Sequence, residues 1–200
     1  MTKIKYSQKY YPGTREELVS KIKTAMSPRR FQHVLGVEQA AIQLAKDNQA
    51  DVEKASIAAL VHDYAKERSD SDFQAVIQTK HLDPDLLRWD NFIWHGVVGA
   101  EMIATELGIT DPEILDAVRK HTVGAKDMTL LDRIIYVADY IEPGRDFPGV
   151  QEARLIAQKD LNEAVSYETQ HTLEHLLQMK KVIYPAAMET YNYWVAGKLD

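Results

Sequence analysis

The chain of 200 residues contains no cysteine. That excludes a disulfide scaffold, a thiolate zinc site, an iron–sulfur cluster and a cysteine nucleophile, and it fits a reducing compartment. No apolar run approaches the ~18–20 residues of a membrane span. The start, MTKIKYSQKYYPG, carries lysines but no apolar core of the signal-peptide type. Positive charge is in deficit, with 24 Lys and Arg against 30 Asp and Glu, for a net charge of −6. Stable nucleic-acid binding, which needs basic surface to release counterions, is therefore not expected. The phosphate loops GxxxxGK and GxGxxG are absent, as is the GxSxG elbow of serine hydrolases. Alternating apolar and polar runs between Asn-Gly turns are missing, so no sheet is expected. A soluble cytoplasmic protein without membrane partners fits these absences.

With 45% apolar and 27% charged residues, the composition is that of a globular domain. The pattern is helical nearly throughout. Residues 1–13 read as a polar, tyrosine-rich tail with a disordered end. Thr14 to Glu17 spells a capping box that opens a helix carrying Leu18, Ile22 and Met26. Ser27-Pro28 starts a second helix, ending near Asn48. Asp51 caps a third, apolar on almost every face from Ala55 to Val61, which marks a buried helix running into His62-Asp63. Short helices follow in 66–92. Further helices are expected from His95 to Leu107, from Pro112 to His121, from Leu130 to Tyr140, from Asp160 to about Met179, and beyond Pro185. The expected architecture is all-α: one domain of eight to ten helices over 14–200.

Histidine carries the chemistry. His171 to His175 spells H-x-x-E-H, a zinc-protease pattern, but a third ligand downstream is lacking, so an incidental helix-surface pair is the better account. His81 reads as a solvated residue. The other histidines, His33, His62, His95 and His121, fall with Asp63 and Asp139 at helix ends or inner faces. Buried charge is costly unless paired or bound to metal. Neutral imidazoles and carboxylates without sulfur suit first-row ions such as iron, manganese, cobalt or zinc. Six ligands exceed what one open ion needs, so two ions with Asp63 as bridge fit better. Such a pair would hold a hydroxide between them for in-line attack on phosphorus. Lys66, Arg30 and Arg145 flank these positions as candidate phosphate contacts.

The ordered series His33, His62-Asp63, His95, His121 and Asp139 resembles the HD-domain metal-dependent phosphohydrolases. Arg30-Phe31-x-His33, His62-Asp63-x-x-Lys66, Trp94-His95-Gly96, Lys120-His121-Thr122-x-Gly124 and Ala138 to Arg145 look like the YqeK-like subgroup, the bacterial symmetrical diadenosine tetraphosphatases. The resemblance covers about residues 14–195. It implies an all-α HD fold, one or two metal ions with iron foremost, and cleavage of diadenosine tetraphosphate into two ADP by a metal-bridged hydroxide. It implies His33, His62, Asp63 and Asp139 at one metal, and His95, His121 and Asp63 at the other. Asp63 and Lys66 are the expected catalytic residues, and Arg30, Lys66 and Arg145 the substrate contacts. A homodimer is compatible with the resemblance. Two alternatives stay open. One is another HD-type nucleotide phosphohydrolase, a nucleotidase or phosphodiesterase. The other is a non-catalytic nucleotide-binding module with structural metal.

Overall fold

A computed structural model describes residues 4–197, and every regular element among them is helical. Eleven α-helices and one 3-10 turn follow in order, rather than eight to ten. Helices α1 (Arg15–Ala25), α2 (Pro28–Asp47) and α3 (Val52–Val61) begin where the capping residues place them. The Thr14 hydroxyl accepts from the Glu17 amide while the Glu17 carboxylate accepts from the Thr14 amide, which satisfies two of the free donors at the helix start. Helix α4 (Asp70–Thr79) and a 3-10 turn (Pro84–Arg88) fill the polar connection.

Three departures from the sequence reading stand out. The helix expected from His95 to Leu107 is two helices, α5 (Asn91–Val97) and α6 (Gly99–Leu107), and His95 lies inside α5 instead of opening it. Asp90 caps α5 through the Phe92 amide, and Gly96 and Gly99 flank the bend at Val98. After α7 (Pro112–Lys120) and α8 (Leu130–Ile141) comes α9 (Val150–Ala157), which the pattern reading passed over. It is eight residues long and starts at Gly149 without a side-chain cap, so the usual signal is missing. Helices α10 (Leu161–Gln178) and α11 (Pro185–Trp194) close the chain. Finally, α3 stops at Val61, and residues 62–67 continue as turns.

Helix α3 is the centre of the fold. Every residue from Ala55 to Val61 is buried, and α1, α2, α7 and α8 pack around it. Burial on all faces removes the choice of a solvent side, so the helix must enter the core whole. A smaller cluster of Ala65, Phe73, Ile77, Leu86, Trp94, Val98 and Met102 seals the segment between α3 and α6. Among the described residues no helix is long and apolar enough to cross a membrane.

Residues 4–13 are not a disordered end but a strap against the core. Residues 1–3 lie outside the described part, but Tyr6 and Tyr11 are buried against the core. The Tyr6 hydroxyl is 2.8 Å from Ser56 Oγ. Ser56 in turn donates to Glu38 Oε1 at 2.6 Å, so Tyr6 is the donor to Ser56. Arg15 Nε donates to the same Glu38 oxygen at 2.7 Å. A buried carboxylate is thus satisfied by two residues, Arg15 and Ser56, the second of them held by the strap through Tyr6. Replacing Tyr11 by alanine should cost about 3 kcal/mol by opening a cavity, and Tyr6→Phe about 1 kcal/mol by removing one hydrogen bond. Urea unfolding curves that superimpose on the unmodified protein would show the strap to be loose.

Candidate metal centre

All six expected ligands converge. His33 comes from α2, His62 and Asp63 from the turn after α3, His95 from α5, His121 from the end of α7, and Asp139 from α8. Their arrangement follows from what each imidazole does with Nδ1. His62 Nδ1 lies 2.7 Å from the Ala59 carbonyl, His121 Nδ1 2.7 Å from the Val118 carbonyl, and His95 Nδ1 2.6 Å from the Asn91 carbonyl. A carbonyl only accepts, so each Nδ1 carries the proton and donates. His33 Nδ1 donates to Glu142 Oε1 at 3.2 Å. In all four rings Nε2 is then the bare lone pair, turned inward.

Asp63 lies between them. Its Oδ2 is 3.6 Å from His33 Nε2 and 3.5 Å from His62 Nε2, while Oδ1 is 3.5 Å from His95 Nε2 and 3.8 Å from His121 Nε2. Each carboxylate oxygen therefore faces its own histidine pair, the geometry a bridging ligand needs. Asp139 Oδ1 is 3.1 Å from His33 Nε2. Two sets of donor atoms, from His33, His62 and Asp139 and from His62, Asp63 and His121, each lie within 4.8 Å of one another.

The donor set fits a cation on its own physics. Nε2 of His33 and of His62 are buried without a hydrogen-bond partner. Nε2 of His95 and of His121 face each other at 3.1 Å, both as acceptors, with the Thr122 hydroxyl at 3.0 Å from each and Lys66 Nζ at 3.2 Å from that of His95. One hydroxyl hydrogen cannot serve two lone pairs. Burial, with neighbouring positive groups, pushes His95 down to about 3 and His121 down to about 4. Both stay neutral at physiological pH and available to a metal. Against its own burial, the neighbouring His62 holds the Asp63 carboxyl well below the usual range.

The three expected cationic residues are here as well. Arg30 Nη1 donates to Asp63 Oδ2 at 2.7 Å, and Arg145 Nη2 to Asp139 Oδ1 at 2.6 Å. Lys66 does not sit one turn along a continuing helix, because α3 has ended. The turn Lys66 N to Asp63 O, at 2.9 Å, folds it back instead. Its Nζ lies 3.2 Å from both ring nitrogens of His95. Burial lowers the Lys66 pKa, a direction that Arg30 and Arg145 reinforce. Of the two decoys, His171 stacks on Tyr167 at 3.9 Å and bonds its carbonyl, and His81 is exposed.

Three site features escaped the sequence reading. Glu142 was read only as a helix end, yet it orients His33. A Cβ on Gly36 would overlap the Glu142 carboxylate, so glycine is required one turn after His33. Thr122 bridges two histidines. Glu168, on α10, is a buried acid whose Oε2 has no partner, and burial, with the nearby Asp139 charge, pushes its pKa well above the usual range.

A profile of the HD domain matches residues 30–144, which hold all of these ligands. The chain belongs to the HD-domain family. It is 42% identical over 183 residues to the symmetrical bis(5'-nucleosyl)-tetraphosphatase of Bacillus subtilis, covering 92% of this chain and 98% of the relative. A relative of the same description from Halalkalibacterium halodurans is 42% identical over 86% of this chain and 91% of its own length. Among solved structures, a protein described as a predicted HD superfamily hydrolase involved in NAD metabolism, from Clostridium acetobutylicum, superposes with a TM-score of 0.86 at 33% identity, covering 92% of this chain and 98% of that one. The HD domain implies a divalent metal, and the His/Asp cluster provides for one.

The neutral histidines carry a consequence for stability. In the unfolded chain they take up protons below ~6.5; in the folded, metal-free protein His95 and His121 resist until about 3 and 4. The unfolded state then binds more protons across that window, so stability falls as the pH drops. Metal-free protein should lose thermal stability steadily from pH 7 to 4, and His95→Gln should flatten the slope. An unchanged slope in that variant would contradict the assignment.

Proposed function

We propose that this protein hydrolyses diadenosine tetraphosphate symmetrically, giving two ADP. The observation that carries the reading is Asp63 held between two histidine pairs, in a chain 42% identical to symmetrical tetraphosphatases along most of its length. His33, His62, Asp63 and Asp139 would hold one ion, and His95, His121 and Asp63 a second. When bound, such ions supply Lewis acidity toward phosphoryl oxygens and make water a nucleophile near neutral pH. The sulfur-free donor set suits iron, manganese, cobalt or zinc, and the family resemblance favours iron. An acidic, cysteine-free chain supports a cytoplasmic setting.

The protein's own residues divide the remaining work. Glu142 holds His33 by Nδ1 so that Nε2 stays aimed inward. Arg30 and Arg145 now pair with Asp63 and Asp139. Once those carboxylates ligate cations, the guanidinium forks are free to take phosphate oxygens bidentately. Lys66, close to His95 and half-stripped of water, adds a point charge beside the scissile link. Water adds to one of the two central phosphorus atoms, the bond from that phosphorus to the bridging oxygen breaks, and the departing oxygen leaves on ADP. One water is consumed and both products are ADP.

Product analysis tests the reading, since AMP with ATP instead of ADP alone would overturn it. Asp63→Ala should abolish turnover and lower metal content together. Lys66→Ala should reduce kcat at least tenfold, by the loss of one charge-assisted contact, with metal content kept. Gly36→Ala should displace Glu142 and weaken metal affinity ~10–100-fold, read by metal titration; undiminished affinity would remove Glu142 from its positioning role.

A further inference from the structure

A cavity of about 950 Å³ opens beside the metal centre. That is at the upper end of small-molecule sites. Two contacts make it continuous with the centre. Thr122 lines the cavity and touches Nε2 of both His95 and His121 at 3.0 Å. Phe92 also lines it, and Lys66 Nζ sits 5.3 Å from the centre of the Phe92 ring. At this end a hydroxyl lines the wall and an ammonium stands next to a lining ring. Away from it the walls turn apolar and aromatic: Trp89, Tyr184, Leu173, Leu176 and Met179. Trp89 and Tyr184 meet edge to face at 4.8 Å, a rigid corner of flat surfaces.

The acids of the lining are already engaged. Asp85 accepts from Trp89 Nε1 at 3.2 Å and from Arg88 Nη1 at 3.0 Å, and Asp90 Oδ1 accepts from the Phe92 amide at 2.9 Å. Arg88 offsets the charge of Asp85, and Lys181 adds a second cation to the lining. The rim exposes Phe92 (67%), Met179 (57%) and Val182 (81%) to solvent. Contiguous apolar surface of this kind marks a binding site more often than bare exterior. A ligand matching this gradient is anionic at one end and flat and apolar at the other.

We propose that this cavity seats one nucleoside of the dinucleoside tetraphosphate, with its phosphates running past Thr122 and Lys66 toward the metal centre. The inference rests on the activity proposed above. It adds that recognition extends beyond the matched HD region. The HD profile ends at residue 144, whereas the wall from Thr169 to Ala187 belongs to α10, α11 and their connection. This helix pair thus distinguishes a nucleotide from any other phosphoester reaching the metals. Base–aromatic stacking supplies the affinity, since every base offers a π-face. A symmetrical substrate needs only one half seated for its central link to be placed.

Two variants test this. Leu176→Trp fills the cavity, and Phe92→Ala removes an exposed ring without touching the core. For each, kcat/KM is measured for diadenosine tetraphosphate and for bis(p-nitrophenyl) phosphate, which carries no nucleoside. ADP binding is followed by calorimetry, with metal content and melting temperature as controls on folding. The ratio of the two kcat/KM values should fall about tenfold or more in both variants, with weaker ADP binding, the size expected for one lost stacking contact. An unchanged ratio in folded Phe92→Ala, where unmodified protein yields two ADP, overturns the cavity assignment and leaves the activity standing. Unmodified protein that yields no ADP overturns both. If Val182→Glu instead dissolves a dimer and leaves ADP binding intact, the apolar rim is a contact between copies, and the nucleoside assignment fails.

Discussion

Four imidazole lone pairs and two carboxylates pointed at one another repel. The fold holds them so because each ring is fixed from behind, by a carbonyl one helical turn earlier or by Glu142. Those backbone carbonyls belong to the helices that place the rings. Tautomer and position are therefore set by the same hydrogen bond, and a cation is the species that relieves the crowding. The packing of α2, α7 and α8 around α3, with α5 against α7, serves this convergence, since candidate ligands 106 positions apart in sequence, His33 and Asp139, must meet within 3.1 Å.

Much of this was legible in the sequence, for physical reasons. Ser27-Pro28, Asp51 and Asp111-Pro112 are strong helix starts because a side-chain oxygen and a preset φ act locally. The all-apolar stretch Ala55–Val61 announced a central helix, and the His62-Asp63 pair at its end announced polar atoms driven into the core with a purpose. The six ligand positions were visible because buried imidazole and carboxylate are expensive and these occurred together. Non-local effects stayed hidden. Glu142 reads as a helix terminus until α2 and α8 are seen packed side by side, with Gly36 making room between them. Thr122 is an ordinary residue until α5 and α7 bring two histidines to it. The bend at Val98 and the start of α9 have only glycines or Pro148-Gly149 beside them and no side-chain cap, a weaker local signal.

On the proposed reading, one scaffold separates chemistry from selectivity. The ligands lie between residues 30 and 144, within the HD match. The aromatic and apolar walls beyond Thr122 draw heavily on the last two helices. Changes in α10 and α11 can alter what is bound without disturbing the hydrogen bonds that fix the histidines. Conversely, the same ligand cluster can act on different phosphoesters when its outer wall is rebuilt.

The N-terminal strap bears on the site. Ser56, which takes the Tyr6 hydroxyl and gives its own to Glu38, lies on the same helix that ends at His62-Asp63. That helix is moored at its upstream half by protein alone. His62 and Asp63 at its far end are thus joined through one rigid helix to the N-terminal strap, so loosening the strap is felt at the site.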